Sequence, residues 1–309
     1  MNKINIDICI CTFRRPHITE TLRSIAKLDV KPEWQLQVLV ADNDETPSAQ
    51  KLVEKTAEDL SLSVRYIHAP ARNISIARNA CLDASTASFV AFVDDDEFVS
   101  QGWLIALMEK MESSGCDTVL GPVQALYEPD CPPWISQGDF HSTRPFLNEK
   151  KIYTGSTTGN VLLRRTSPAI QSLRFRKEFG KSGGEDTLYF AAIQKAGGHI
   201  DFAPDALITE NVPKSRASFT WLRKRKFRSG QTHGVLLLES RNGITGYMRM
   251  VLLATVKMIF CFGGAAINVA RPDSMRYWLL RGVLHAGVLS RLFGKAEIEQ
   301  YGKNEAAYP

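Results

Sequence analysis

Through its first 125 residues the chain alternates short β-branched runs with segments of helical period. That alternation restricts the fold to βαβ units around a largely parallel sheet. Residues 4–13 (Ile-Asn-Ile-Asp-Ile-Cys-Ile-Cys-Thr-Phe) alternate and then become nearly continuously apolar, as a strand entering a buried sheet does. Arg14-Arg15-Pro16 ends the run, and Leu22, Ile25 and Leu28 follow at helical spacing. The same patterning predicts strands over 37–41, 64–68, 89–93 and 118–123, with helices over 47–60, 74–84 and 102–113. Beyond them, 127–148 reads as a long Pro- and Trp-containing loop, a class that tends to be functional. A Gly-rich turn runs into a strand over 155–165, and 179–184 is a second turn. Glu185-Asp186 then opens a helix that Gly197-Gly198 terminates.

Composition narrows the class. The chain has 309 residues, 44% hydrophobic and 23% charged, which excludes a disordered chain, a fibre and a multi-span membrane protein. A net charge of +5 is too mild to argue for nucleic acid by itself. The six cysteines form no C-x-x-C pair, which argues against a zinc ribbon or a thioredoxin-like motif. Cys9 and Cys11 fall on one strand face, where a thiol acts as a small hydrophobe. Residues 1–7 carry no apolar signal-peptide core, so the expected setting is a reducing cytoplasm with free thiols.

Active sites of parallel sheets form at the carboxyl ends of the strands. Two acidic clusters, Asp42-Asn43-Asp44 and Asp94-Asp95-Asp96-Glu97, stand at such ends and should converge. Adjacent carboxylates repel unless a cation neutralises them. In an extended stretch Asp94 and Asp96 would point the same way and hold Mg²⁺ or Mn²⁺ together with a diphosphate. The bland alternative is a solvated acidic turn. A D-x-D-x-T phosphatase fits poorly, because Phe98 occupies the Thr position. Asp186 and Glu185 open a helix, where the N-terminus keeps a carboxylate ionised, as a general base requires; simple capping is the competing reading.

Seven basic residues lie between Lys214 and Arg228. They suit a diphosphate, an anionic membrane or a solvated helix face; with no nucleic-acid motif alongside, a nucleic-acid partner is not expected. Residues 251–270 are apolar enough to span a bilayer but contain Lys257. Over 276–295, Arg276, Arg281, His285, Arg291 and Lys295 segregate from Trp278, Leu279, Val283, Ala286, Leu289 and Phe293. That pattern predicts an interfacial anchor, or else a helix packed on the core, and peripheral attachment is favoured over a span.

Taken in order, the Cys-Thr-Phe-Arg-Arg strand end, Asp42-Asn43, Ala77-Arg78-Asn79, the Phe92-Val-Asp-Asp-Asp strand end, Gly159-Asn160, Gly184-Glu185-Asp186 and the basic segment resemble glycosyltransferase family 2. The resemblance covers about residues 4–235 and is strongest to exopolysaccharide glucosyltransferases of the succinoglycan type. It implies the α/β GT-A fold over 1–235 and a helical, membrane-associated region over 236–309. It also implies an inverting hexosyltransferase at the cytoplasmic face of the bacterial inner membrane. The partners would be a UDP-sugar donor, a polyprenyl-diphosphate-linked oligosaccharide acceptor and an anionic membrane surface. Thr12, Phe13, Arg14, Asp42, Arg72, Asn73, Arg78, Asp94 and Asp95 would bind the donor nucleotide. Asp96, with Asp94, would hold a divalent cation, Mg²⁺ or Mn²⁺. Asp186 would be the base, supported by Glu185, and Arg225 and Arg228 would steady the diphosphate. The processive Gln-x-x-Arg-Trp signature is absent, which argues for addition of one sugar. A sugar nucleotidyltransferase and a nucleotide-sugar-binding scaffold without turnover are the alternatives.

Overall fold

The computed structural model describes residues 3–148, 153–154 and 157–299. Its strands are β1 (Ile4–Thr12), β2 (Trp34–Asp42), β3 (Val64–His68), β4 (Phe89–Asp94), β5 (Glu97–Val99), β6 (Thr118–Leu120), β7 (Val123–Tyr127), β8 (Phe146–Leu147), β9 (Tyr153–Thr154), β10 (Val161–Arg164), β11 (Ile200–Phe202) and β12 (Ile208–Val212). The helices are α1 (Ile18–Ile25), α2 (Gln50–Leu60), α3 (Ile74–Ala84), α4 (Trp103–Ser114), α5 (Pro133–Gly138), α6 (Glu185–Lys195), α7 (Phe219–Glu239), α8 (Gly243–Ile267) and α9 (Pro272–Leu292). The start of the expected 155–165 turn, Gly155 and Ser156, lies outside the described residues.

The central sheet runs β11-β6-β10-β4-β1-β2-β3. Its pairings are parallel except at β10, which is antiparallel to both β4 and β6. Apolar side chains cover both faces, as a buried parallel sheet requires. On one face Leu22 of α1, Val53 of α2 and Leu104 and Met108 of α4 pack with Ile8 and Val40. On the other, Cys81 and Leu82 of α3 and Tyr189 and Ile193 of α6 pack with Cys9, Cys11 and Phe92.

A smaller sheet, β5-β12-β7, stands beside the first. The patterning over 118–123 predicts one strand there, yet the chain leaves the large sheet after β6 and enters the small one at β7. Gly121-Pro122 makes the break, since proline has no N–H for a ladder. Asn160 ties this junction down: it accepts from Trp103 Nε1 at 2.8 Å and donates to the carbonyls of Pro122 and Ala206 at 2.8 and 2.7 Å. The stretch expected as a loop over 127–148 contains α5 and β8.

The C-terminal helices form a layer in which α9 packs against both α7 and α8. A Cβ added at Gly230 of α7 would sit 2.0 Å from the Leu284 carbonyl, and one at Gly287 of α9 equally close to that of Phe227, so only glycine permits this approach. Of the two readings of the α9 pattern, packing against other helices is the one observed. Much of its apolar face is taken up by packing, with Leu289 and Leu292 buried and Trp278 against Gly264 of α8, while Phe293 stays exposed. The exposed apolar stripe belongs to α8 instead, at Met248, Leu252, Ile259 and Phe260. This 25-residue helix has a mean hydropathy of 2.0 over its most apolar window and is long and apolar enough to cross a membrane.

Candidate active site

Four parallel strands end at one level. Thr12 lies opposite Asp42, Asp42 opposite His68, and Cys11 opposite Asp94. Both acidic clusters thus flank the end of β1, one on each side. The two arginines that follow β1 divide between them. Arg14 grips Asp44 with two contacts of 2.9 Å, whereas Arg15 reaches Asp95 at 2.9 Å and Asp96 at 2.7 Å. Arg14 also lies over the Phe13 ring, 5.3 Å from its centroid.

On the β2 side, Asp42 is fully enclosed and accepts from Asp44 N, Ala49 N and the Tyr66 hydroxyl at 3.0, 2.9 and 2.7 Å. Arg72 pairs with Glu45 at 2.9 Å, and its backbone N–H donates to the Asn43 carbonyl. Arg14 and Arg72 both adopt left-handed backbone, φ 55° and 48°, a conformation that costs a side-chain-bearing residue of order 1 kcal/mol and is held at functional sites by surrounding contacts. Asn73 caps α3 by accepting from Ile76 N, and donates to the Lys177 carbonyl at 2.8 Å.

On the β4 side, Asp95 and Asp96 form the turn between β4 and β5. The extended-strand argument for Asp94 and Asp96 is corrected accordingly: a tight turn, not strand alternation, presents these carboxylates. Asp95 is buried and accepts from the Thr12 hydroxyl at 2.7 Å. Burial raises its pKa to about 6, against the pull of Arg15. Glu97, also buried, is raised well above the carboxylate range by burial and by Asp94 and Glu210, and it accepts from Asp94 N at 2.8 Å.

α6 delivers the Glu-Asp pair. Gly184, at φ 93°, turns the chain into the helix in a conformation suited to glycine. Glu185 is buried and paired with Arg78, itself buried, which also reaches Asp94 at 3.5 Å. Burial raises the Glu185 pKa to about 7, with Arg78 opposing and Asp186 reinforcing the shift. Asp186 is half-buried on the first helical turn, and its Oδ1 accepts from Thr187 N at 2.6 Å. Arg78 is therefore the physical link between the α6 carboxylates and the β4 cluster.

Several participants lie outside the sequence motifs, although Arg216 belongs to the basic run from Lys214 to Arg228. Arg216 bonds Glu210 of β12 at 2.6 Å and lies 3.5 Å from Asp96. Burial and Asp96 raise the Glu210 pKa to about 7, with Arg216 and Arg225 opposing. His141, from the 127–148 stretch, is buried, stacks on Trp221 with ring centroids 5.1 Å apart and lies 3.2 Å from the Arg216 carbonyl. Burial and Arg225 press its pKa down to about 4. Arg225 lies over the opposite partner in that stack, 5.3 Å from the Trp221 ring, and Arg228 donates to the Ser182 carbonyl at 3.3 Å. Arg15 had a sequence signal, the second cation after β1, whereas Glu210 and His141 had none.

Among the described residues no group of three or more His, Cys, Asp or Glu side chains gathers in metal-ligating geometry. Asp94 and Asp96 keep partly exposed carboxylates, 42% and 22%, beside the buried acids. Such a donor set fits Mg²⁺ or Mn²⁺, which take one or two carboxylates and complete their shell with water and substrate phosphate oxygens.

The sequence profile of the family described as "Glycosyl transferase family 2" matches residues 7–167. The chain is 49% identical over 302 residues to the succinoglycan biosynthesis protein ExoM of Rhizobium meliloti (strain 1021), covering 98% of this chain and 97% of that one. It is 28% identical over 257 residues to the GalNAc(5)-diNAcBac-PP-undecaprenol beta-1,3-glucosyltransferase of Campylobacter jejuni subsp. jejuni serotype O:2, covering 81% and 73%. Among solved structures, the mannosyltransferase PcManGT from Pyrobaculum calidifontis in complex with GDP-Man and Mn²⁺ shares the fold, with a TM-score of 0.61 at 17% identity and 96% and 89% coverage. The sheet with its reversed β10 is the GT-A fold. The chain belongs to glycosyltransferase family 2 and is a glycosyltransferase.

Proposed function

We propose that this enzyme moves glucose from UDP-glucose, with inversion at the anomeric carbon, onto an oligosaccharide carried on a polyprenyl diphosphate at the cytoplasmic face of a bacterial inner membrane. The step belongs to exopolysaccharide synthesis of the succinoglycan type. The succinoglycan and undecaprenol-linked functions of the two relatives support the pathway and the lipid-diphosphate acceptor. The observation that carries the reading is the arrangement of Asp186: a half-buried carboxylate on a helix N-terminus, joined through Glu185 and Arg78 to the Asp94–Asp96 turn.

Asp186 takes the proton of the acceptor hydroxyl, an otherwise poor nucleophile. The freed oxygen bonds the anomeric carbon while the bond from that carbon to the diphosphate oxygen breaks, and the electron pair leaves with UDP. One displacement and one base give inversion. Glu185, buried and bound to Arg78, positions rather than transfers protons. Thr12, Phe13, Arg14, Arg72, Asn73, Arg78, Asp94 and Asp95 line the nucleotide pocket, and the enclosed Asp42 shapes the 43–45 loop that forms its wall. Asp96 with Asp94 would hold a divalent cation, which neutralises charge developing on the leaving diphosphate. Arg225 and Arg228 add cationic stabilisation at the same end.

Transfer of label from a panel of UDP-sugars into bacterial lipid extract, with Mg²⁺ or Mn²⁺ and then with chelator, tests the reading. Metal-dependent label in the lipid fraction from UDP-glucose is expected. Binding of UDP-sugars with no label from any donor would overturn it in favour of a scaffold.

A further inference from the structure

The C-terminal helices carry a groove that the catalytic residues leave unused. One chamber of about 380 Å³ lies between α7, α8 and α9, walled by Leu237, Met250, Leu253, Ala254 and Val288, with His233 and Lys257 beside them. A second, of about 460 Å³, lies between α9 and residues 138–142 and is lined by Lys226, Tyr277 and Arg281. Leu284 and His285 line both, so the chambers adjoin along α9.

The basic run at the start of α7 is split between two places. Successive helical residues point about 100° apart. Arg225 and Arg228 turn to Trp221 and Ser182, while Lys226 lines the groove. Burial, Arg225 and Arg281 press the Lys226 pKa below its usual value, as cations gathered in one place do. Among the described lining residues the one carboxylate is Asp139, which accepts from the Ser142 hydroxyl. Charge and shape therefore agree on the occupant. The apolar chamber adjoins α8, whose outer stripe is exposed, and the cationic chamber adjoins the stretch whose His141 touches Arg216 and Trp221.

We propose that this groove binds the polyprenyl diphosphate end of the acceptor, with the hydrocarbon along Leu253, Ala254 and Val288 and the phosphate oxygens at Lys226, Arg281 and His285. The proposal rests on the lipid-linked acceptor argued above. It explains how a membrane-borne acceptor would bring its sugar end to Asp186 while its lipid stays beside α8.

Equilibrium dialysis of farnesyl diphosphate against the full-length chain, with UDP saturating the donor site, tests it directly. Wild type should retain the probe, and Lys226→Ala with Arg281→Ala should bind it at least about tenfold more weakly, the loss expected for charge-assisted contacts, with UDP affinity unchanged. The same double variant should show a raised KM for the lipid-linked acceptor and an unaltered kcat. Displacement of the probe by UDP, wild-type binding in the double variant, or equal competition by phosphatidylglycerol vesicles would overturn the proposal. Retention of the probe by an enzyme that glycosylates no lipid-linked acceptor would overturn the acceptor reading alone.

Discussion

Two acidic loops flank β1, and they look alike in sequence: Asp42-Asn43-Asp44 after β2 and Asp94-Asp95-Asp96 after β4. Their physical states are opposite. In the first, the carboxylate of Asp42 is matched to three donors within the protein, and Arg14 and neighbouring hydrogen bonds hold the Asp44 pKa below its usual value despite burial. In the second, burial and mutual repulsion drive Asp95 to about 6 and carry Glu97 and Glu210 upward as well. Three arginines, Arg15, Arg78 and Arg216, partly offset the charge. The first loop is a finished scaffold. The second stores electrostatic stress that a divalent cation would relieve.

The contrast is broken most sharply by Asp96→Asn. Transfer should fall by about 10³-fold or more, the scale for removing one group that stabilises a transition-state charge. Folding stability should stay within about 1 kcal/mol of wild type, because partly exposed ion pairs contribute little. Mn²⁺ with UDP should raise the melting temperature of wild type and not of the variant. A variant with near-normal turnover would remove Asp96 from the site. Asp186→Asn should match the loss of transfer while keeping the Mn²⁺ response.

His141 sharpens the comparison from the side of the small sheet. Its pKa is about 4 in the folded chain, against roughly 6.5 when unfolded. The unfolded chain therefore takes up the proton first. Neutral burial contributes fully above pH 6.5, and the contribution is lost as pH falls toward 4. The loss approaches about 3 kcal/mol over that window. In denaturant melts, His141→Gln should flatten the acid limb, and an unchanged slope would show that other groups set it.

Much of this site was legible in the residues. The alternation places β1 to β4, and the rule for parallel sheets brings Asp42 and Asp94 to one edge from sequence alone. What escaped depended on tertiary position. Gly121-Pro122 was present as a turn signal inside an apolar run, but nothing local says that the chain changes sheets there. Glu210 joins the site only because β12 pairs with β5, which sets it opposite Glu97, and Arg216, past the end of β12, bridges Glu210 to Asp96. The amphipathic pattern of α9 was real, and much of its apolar side packs on other helices. Periodicity reports that a face is buried and is silent on what buries it.

Asp42→Asn should cost about 2 kcal/mol, since the new amide sets an N–H against donors that needed an acceptor. Urea midpoints measure this, with donor affinity falling only as the 43–45 loop loosens. A loss of transfer without a loss of stability would instead make Asp42 a direct ligand.

The smallest effect tests how finished the first loop is. Tyr66 donates one of three hydrogen bonds to Asp42, at 2.7 Å, from the neighbouring strand β3. Burial and that carboxylate raise its pKa, so the hydroxyl keeps its proton throughout the physiological range. Tyr66→Phe keeps the ring packing and deletes only this donor. Asp42 then retains its two backbone N–H partners, and the cost should be about 1 kcal/mol, the usual net worth of one such bond. If the loop were under the same stress as the β4 turn, removing a donor would cost far more and would spread to nucleotide binding. A stability loss near 1 kcal/mol with unchanged affinity for UDP is the outcome that separates a satisfied carboxylate from a strained one.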